Sequence, residues 1–458
     1  MHPRFLAGLV VAASLPAMAA AAATAPERDP EIERIVTEIS PRNIEATIRH
    51  LVEFRTRHTL SSTTDPVHGI GAARNWIKAE FERYSRESGG RLEVAFDTFQ
   101  HPPAPPRIPQ GAEIVNVVAT LPGSQPESAG RVYVISGHYD SRSLGIMDTD
   151  TYAPGADDDG SGTAAVLELA RVMSRHRFDA TLVFLAVAGE EQNLGGSTHW
   201  ARAAKEKGLN VAGMFTNDIV GNTRHEDGTR DRSHVRVFAE GVPPLKELPA
   251  DVLAQLRTGG ENDFPPRQLA RFIAAVGARY VPQLPVKIIY RRDRYLRGGD
   301  HSPFLDAGFP AVRFTEPHEV FARQHQDVRV EDGIQYGDLP EYVDFDYVAD
   351  VARVDAAALA ELASAPAVPR NFEIEAYRLE NDTSLRWAPN REPDLGGYRL
   401  VWRDTTAPQW EHALDVPKDA THFTVRGVSK DNVIFGLEAM DTAGHASPAV
   451  YPTPRLNP

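Results

Sequence analysis

The stretch TLVFLAVAGEEQNLGGSTHWARAAKEKG (181–208) decides the fold class. Residues 181–188 are almost all apolar, which is typical of a strand buried on both faces of a sheet. A glycine-bounded turn follows, and residues 197–208 predict a helix. A strand, a turn and a helix in this order form one unit of an α/β sheet. The stretch therefore predicts a parallel sheet covered by helices.

The same alternation continues along most of the chain. Predicted strands cover residues 113–121, 131–136, 211–218, 286–290 and 311–314, and predicted helices cover 162–176, 267–281 and 347–364. This pattern predicts an α/β domain over residues 24–364, with a mainly parallel central sheet flanked by helices. Residues 224–266 are charged and weakly patterned, and we expect them to form a lid or rim over a cleft.

Composition restricts the partners of the protein. The chain of 458 residues is 42% hydrophobic and 24% charged, as in an ordinary soluble globular protein. Its formal net charge of −14 argues against binding to nucleic acid or to an anionic membrane surface. The chain contains no cysteine, so any metal site must use His, Asp and Glu.

The N-terminus, residues 1–23, predicts a secretory signal peptide. Arg4 precedes an apolar run over residues 5–15, and an alanine tract then offers A-x-A cleavage sites. The apolar run is too short to span a bilayer, so we expect no transmembrane segment. A buried N-terminal helix is the alternative, but the charged, proline-flanked sequence that follows disfavours it. The sequence therefore predicts a periplasmic or secreted protein.

Polar residues collect where the predicted strands end. In open α/β sheets, ligands bind beyond the carboxyl ends of the strands. Alone, each feature has an ordinary structural explanation, such as a helix cap or a solvated pair of charges. Their joint occurrence at strand and loop ends favours a functional site. The candidates are His138, Asp140, the triplet Asp157, Asp158 and Asp159, the pair Glu190 and Glu191, Asp218, Asp300 and His301.

These residue types suit zinc. In the absence of thiols, Zn²⁺ is bound by imidazole and carboxylate groups. Two zinc ions can share a bridging carboxylate, and each ion then needs two further ligands. Asp140, two residues after His138, can hydrogen-bond the other nitrogen of that imidazole. The five ligands that fit the count are His138, Asp158, Glu191, Asp218 and His301.

The motifs GHYDS, PGADDDGSG, AGEEQNLGGS and GDHSPF, together with the ND pair at 217–218, resemble the five signatures of the M28 family of zinc peptidases. The resemblance covers roughly residues 30–362. It implies a dizinc aminopeptidase with two Zn²⁺ per chain and peptide substrates. It also implies that Asp158 bridges the metals through a segment with a cis peptide bond, that Glu190 is the general base, that Glu191 binds metal and that His301 completes the second metal site.

Two alternatives remain open. Relatives of this fold include carboxypeptidases and glutaminyl cyclases, but cyclases generally use one zinc ion and the ligand set here is complete. A non-catalytic binding protein on a peptidase scaffold should have lost ligands or Glu190, and none is lost. Both alternatives are therefore less favoured than an aminopeptidase.

The C-terminal part has a different pattern. Residues 365–370 lie in an Ala/Pro-rich stretch and predict a linker. Residues 371–458 contain short strand-like runs separated by turns, which predict a small all-β sandwich. This part resembles a fibronectin type III domain, with Trp387 and Tyr398 as core aromatics, although Val433 stands where many members have a tyrosine. We expect this domain to bind polymeric or cell-surface material.

Overall fold

The computed structural model describes residues 28–457. The predicted signal peptide, residues 1–23, lies outside the described residues. Within the described range, no helix combines the length and the apolar character needed to cross a bilayer.

An eight-stranded sheet forms the centre of the molecule, in the order β1-β2-β4-β3-β5-β8-β6-β7. Strands β4, β3, β5 and β8 run parallel to one another, as the sequence predicted. The sheet as a whole is mixed, because β1, β2 and β6 join it through antiparallel pairings. The strands are β1 (Glu93–His101), β2 (Ala112–Leu121), β3 (Arg131–His138), β4 (Thr181–Val187), β5 (Asn210–Asn217), β6 (Val235–Ala239), β7 (Val286–Ile289) and β8 (Ala311–Thr315).

The register of the central strands places their carboxyl ends at one edge. His138 of β3 pairs with Val187 of β4, and Ser136 of β3 pairs with Thr216 of β5. Every residue of β3 is buried, since helices cover both faces of the sheet. The residues that follow these three strands are therefore brought close together.

The described part of the chain contains nine α-helices, and all of them except the exposed α6 form two layers. One layer buries the larger apolar core against the sheet and includes α4 and α9. The other layer contains α5 and α8 and covers the opposite face. The helices are α1 (Pro30–Glu38), α2 (Pro41–Glu53), α3 (Gly69–Glu87), α4 (Gly160–Met173), α5 (Gly195–Glu206), α6 (Ala250–Arg257), α7 (Pro265–Tyr280), α8 (His301–Ala307) and α9 (Phe345–Ser364).

Residues 224–266, expected to form a lid or rim, contribute none of the residues that line the cleft over the candidate site. They contain β6, which lies inside the central sheet between β8 and β7, and the exposed helix α6. The expectation of a peripheral segment is therefore wrong for β6. Its strand pattern is only five residues long and lies between charged turns, too short to stand out in the sequence. A small hairpin, β9 (Arg329–Glu331) and β10 (Ile334–Tyr336), follows β8.

The C-terminal residues form two further sheets, in the orders β15-β12-β11-β17 and β14-β13-β16. Both sheets contribute to one apolar core, in which the rings of Trp387 and Tyr398 lie 5.3 Å apart. This arrangement is the small β-sandwich that the sequence predicted, while the resemblance to fibronectin type III and the domain limits stay predictions. The strands are β11 (Arg370–Glu375), β12 (Thr383–Ala388), β13 (Leu395–Asp404), β14 (His412–Pro417), β15 (His422–Val425), β16 (Val433–Asp441) and β17 (Thr453–Arg455).

The sandwich packs against the α/β part through buried polar contacts. Asp263 accepts hydrogen bonds from Arg271 at 3.1 Å and from Arg403 of β13 at 2.8 Å, and all three side chains are buried. The predicted linker is also fixed, because the amide of Ala367 donates to Glu392 at 2.6 Å. The connection between the two parts is therefore packed.

Candidate metal centre

Three strand ends and one loop build the site. His138 is the last residue of β3, Asp218 follows β5, and Glu191 lies in the turn between β4 and α5. Asp158 lies in the loop that leads into α4. These four predicted residues are brought together at the edge of the sheet where strand ends were expected to meet.

The first group of possible ligands consists of His138, Asp158 and Asp218, all buried, with one ligand atom of each within 4.8 Å of the others. Nε2 of His138 lies 3.2 Å from a carboxylate oxygen of Asp158 and 4.0 Å from one of Asp218. Nδ1 of His138 lies 3.1 Å from the carbonyl oxygen of Asp140. Nε2 is therefore the nitrogen that faces the group.

The second group consists of Asp158, Glu191 and His325. Nε2 of His325 lies 2.9 Å from the other carboxylate oxygen of Asp158 and 2.8 Å from Glu191. Asp158 thus belongs to both groups and offers one oxygen to each. This arrangement suits a carboxylate that bridges two metal ions through its two oxygens.

The structure places His325, and not His301, in the second group of possible ligands. The prediction of His301 as the fifth ligand is therefore wrong. His301 is fully buried at the start of α8, and its Nε2 lies 2.8 Å from the carbonyl oxygen of Arg292. It belongs to neither group. His325 lies in the loop after β8, which is the neighbour of β5 in the sheet. The feature of the sequence that could have identified His325 is its position after that strand, in the polar stretch ARQHQDV (322–328).

Two buried atoms support a metal at this site. Among residues 28–457, Nε2 of His138 and Oε1 of Glu191 have no partner with hydrogen-bonding geometry, although Oε1 lies 2.8 Å from Nε2 of His325. Buried polar atoms without a partner are costly, and both atoms point into the groups of possible ligands. Two imidazoles and three carboxylates are a donor set that suits two zinc ions in a protein without thiols. The residues present therefore fit the group that the sequence predicted.

Glu190 lies beside the possible ligands and lines the cleft above them. One of its carboxylate oxygens is 4.0 Å from Nε2 of His138. Burial raises the pKa of Glu190 well above its ordinary value, against the influence of His138, while Asp218 and Glu191 raise it further. A divalent cation among these carboxylates would act in the opposite direction and favour the charged form.

Asp140 positions the turn that carries both glutamates. Its carboxylate accepts hydrogen bonds from the hydroxyl of Thr59 at 2.8 Å and from the backbone amides of Glu190 at 3.3 Å and Glu191 at 3.2 Å. The same carboxylate lies 3.5 Å from Nδ1 of His138, farther than the carbonyl oxygen of Asp140 itself. Its contacts with the glutamate turn were not predicted.

The three consecutive aspartates have different roles. Asp159 caps α4 by accepting the amide of Gly162 at 2.9 Å. Asp157 accepts the amide of Gly221 at 2.7 Å, at the far side of the loop. Only Asp158 faces the ligand groups, and the peptide bond after it is cis, as the resemblance implied. The triplet is thus one ligand between two residues that fix the backbone.

Arg57 fixes the loop that carries Asp158 through hydrogen bonds to the backbone of that loop. Its buried guanidinium donates to the carbonyl oxygens of Tyr139 at 2.7 Å, Pro154 at 2.6 Å and Gly155 at 2.8 Å, and to Leu51 of α2 at 3.1 Å. Burial lowers its pKa to about 10, so the group remains charged at neutral pH. One side chain therefore joins α2, the end of β3 and the loop before α4.

A cleft of about 830 Å³ opens over the two groups. Its wall includes the apolar side chains of Leu144, Leu296 and Phe321, all of them exposed. Arg294 and Arg297 line it as well, and both pair with Glu319, at 2.8 Å and 3.0 Å. Their positive charge is thus engaged in salt bridges.

Comparison with known proteins defines the class. The chain is 49% identical over 427 residues to a probable zinc metalloprotease of Pyrenophora teres f. teres, covering 93% of this chain and 87% of the relative. It is also 49% identical over 429 residues to a probable zinc metalloprotease of Leptosphaeria maculans, covering 94% and 98%. Because the alignments cover 93% and 94% of this chain, they extend into the C-terminal sheets. The protein is a zinc metalloprotease.

The family follows from the same comparisons. Residues 116–336 match the model of peptidase family M28. The chain belongs to this family. The fold is shared with the LapA aminopeptidase of Legionella pneumophila, at a TM-score of 0.50 and 21% identity, over 73% of this chain and 75% of LapA.

Proposed function

We propose that the protein is a dizinc aminopeptidase that removes N-terminal residues from peptides. The observation that carries this proposal is the pair of ligand groups that share Asp158. One zinc ion would be held by His138, Asp158 and Asp218, and the other by Asp158, Glu191 and His325. Zinc bound there supplies a Lewis acid that polarises the scissile carbonyl and makes a water molecule more acidic.

The protein's own residues supply the proton transfers and the orientation. Glu190 takes a proton from the attacking water and returns it to the leaving amine. Asp140 fixes Glu190 through the backbone amide of the glutamate turn. The carboxylates on the floor of the cleft, including Asp218, attract the cationic α-amine of a peptide. This attraction favours removal of the first residue over cleavage in the middle of a chain.

The proposal includes export and attachment. The signal peptide over residues 1–23 would direct the protein to the periplasm or out of the cell. The C-terminal sheets would bind polymeric or cell-surface material and hold the peptidase near its substrates. Export is tested by sequencing the N-terminus of the mature protein, which should begin between residues 20 and 25.

Two neighbouring substitutions test the chemistry. E190Q keeps the shape of the side chain and removes its ability to take a proton. It should retain both zinc ions and lose about 10²- to 10⁴-fold in turnover of leucine p-nitroanilide. E191Q replaces an anionic ligand by a neutral amide, so it should chiefly lose zinc, and excess Zn²⁺ should restore part of its activity.

Zinc content and turnover of both variants are measured beside the wild type. Near-normal turnover by E190Q, or loss of zinc by E190Q while E191Q keeps it, would contradict the assignment. Hydrolysis of an N-acetylated peptide in preference to the free amine would indicate a carboxypeptidase. Fewer than two zinc ions in a fully active chain would contradict the dinuclear site.

A further inference from the structure

One arginine of the cleft has no acidic partner within the described part of the chain. Arg107 lines the cleft together with Arg142, Arg294 and Arg297. Arg142 pairs with Glu191 at 2.8 Å, and the other two pair with the acidic side chain described above. Among residues 28–457, Arg107 makes no ion pair with a carboxylate, and its guanidinium donates only to the backbone carbonyl oxygen of Glu191.

The backbone around Arg107 is fixed. Ala104 and Ile108 exchange two backbone hydrogen bonds across the turn, of 2.6 Å and 3.0 Å. The side chain of Ile108 is fully buried in the apolar core. Arg107 therefore extends from a turn held at both ends, and its tip is anchored on the backbone of a residue whose side chain belongs to the second ligand group.

The remaining donors of Arg107 suit a carboxylate. A guanidinium has five N–H donors in one plane and binds a carboxylate through two parallel hydrogen bonds. In a dipeptide, the C-terminal carboxylate follows the scissile bond after one residue, and one residue spans at most about 3.6 Å. Arg107 lines the cleft and contacts the backbone of Glu191, so a carboxylate one residue beyond the scissile bond is the substrate group suited to its free donors.

We propose that Arg107 binds a carboxylate of the substrate and that the preferred substrates are dipeptides with a free C-terminus. This inference rests on the proposed peptidase function. It makes Arg107 a specificity-determining residue, since a longer peptide or an amidated dipeptide presents no carboxylate at this depth. An acidic side chain after the scissile bond is the other source of the same chemistry.

The test compares substrates that differ in one carboxylate. The wild type should hydrolyse Leu-Leu with a kcat/KM roughly 10- to 100-fold above that of Leu-Leu-amide, as expected for a hydrogen-bonded charged group. R107Q should reduce this ratio to within about threefold, mainly through a higher KM for Leu-Leu. R107K should keep part of the ratio, because it keeps the charge and loses the planar fork.

R297Q is the matched control, since Arg297 lines the same cleft but is paired with Glu319. It should keep the ratio of the wild type. Zinc content and melting temperature of all variants are compared with the wild type, and R107K decides the case if R107Q is unstable. A ratio near one in the wild type, or a ratio that R107Q and R107K leave unchanged, overturns the proposal.

A second pair of substrates separates the two sources of the carboxylate. Leu-Glu-amide and Leu-Gln-amide differ only in an acidic side chain. Discrimination by Arg107 within this pair, without discrimination between Leu-Leu and its amide, overturns the dipeptide preference and assigns the arginine to an acidic side chain. Failure of the peptidase function itself would appear differently, as absent hydrolysis of leucine p-nitroanilide by the wild type.

Discussion

Replacing each of two histidines by alanine should have different consequences for zinc binding. His325 contacts the carboxylates of Asp158 and Glu191 and is one of three donors in the second ligand group. Zinc sites with four protein ligands bind with about 10–16 kcal/mol, which corresponds to roughly 3 kcal/mol for each ligand. H325A should therefore raise the dissociation constant of one of the two zinc ions by at least about 100-fold.

His301 should contribute to folding instead. Its side chain is fully buried, and the substitution removes its contact with the carbonyl oxygen of Arg292 and leaves a cavity. H301A should lower the free energy of unfolding by about 2–4 kcal/mol. H325A should also lower the stability of the metal-free protein, because it removes the partner of the buried carboxylates of Asp158 and Glu191, so zinc content is the measurement that separates the two variants.

The assay measures zinc per chain after dialysis against a weak chelator, and urea unfolding of both metal-free variants. We expect one firmly bound zinc ion in H325A and two in H301A. Two ions in H325A and one in H301A would refute the assignment of His325. A loss of stability below about 1 kcal/mol in H301A would refute the structural role of His301.

Two further predictions concern the contact between the sandwich and the α/β part. R403L breaks a buried ion pair with Asp263 and should cost about 3–5 kcal/mol in urea unfolding, whereas R399L removes a partly exposed pair with Asp415 and should cost less than about 1 kcal/mol. Equal costs would contradict a buried interface. His445 lies 2.7 Å from Asp441 and 3.0 Å from Asp29. Burial by itself lowers the pKa of His445, but the nearby carboxylates have the larger effect and raise this pKa to about 9. The stabilisation of about 1–2 kcal/mol, after allowance for solvent screening, should be complete below pH 6.5 and lost as the pH rises through 9. H445Q should therefore be less stable than the wild type at pH 6 and equal to it at pH 10; a pH-independent difference would contradict this.

The sequence could indicate most of the site because most of it follows strands. His138, Asp218 and the glutamate pair come directly after apolar runs, and parallel strands end at one edge of a sheet. The choice between His301 and His325 was different, since neither residue comes directly after an apolar run. Which imidazole enters the site depends on how the chain turns before α8 and after β8. That path is set by tertiary packing.

The supports of the site were harder to predict than its ligands. Arg57 and Thr59 lie in an irregular segment after α2, where no hydrophobic period or motif distinguishes them. Their partners are backbone carbonyls and the carboxylate of Asp140, which are far away in the sequence. The strand β6 was missed because its pattern is short. Long apolar runs, such as that of β4, were correctly assigned.

The guanidinium of Arg57 has a consequence for the limits of the functional unit. The family match begins at residue 116 and contains every proposed zinc ligand. Arg57 lies outside it, yet its hydrogen bonds fix the loop that carries Asp158. A protein cut to the matched region would keep the complete set of ligands and lose the geometry between them. The smallest unit that can work is therefore longer than the stretch by which the family is recognised, and it includes the helices that precede that stretch.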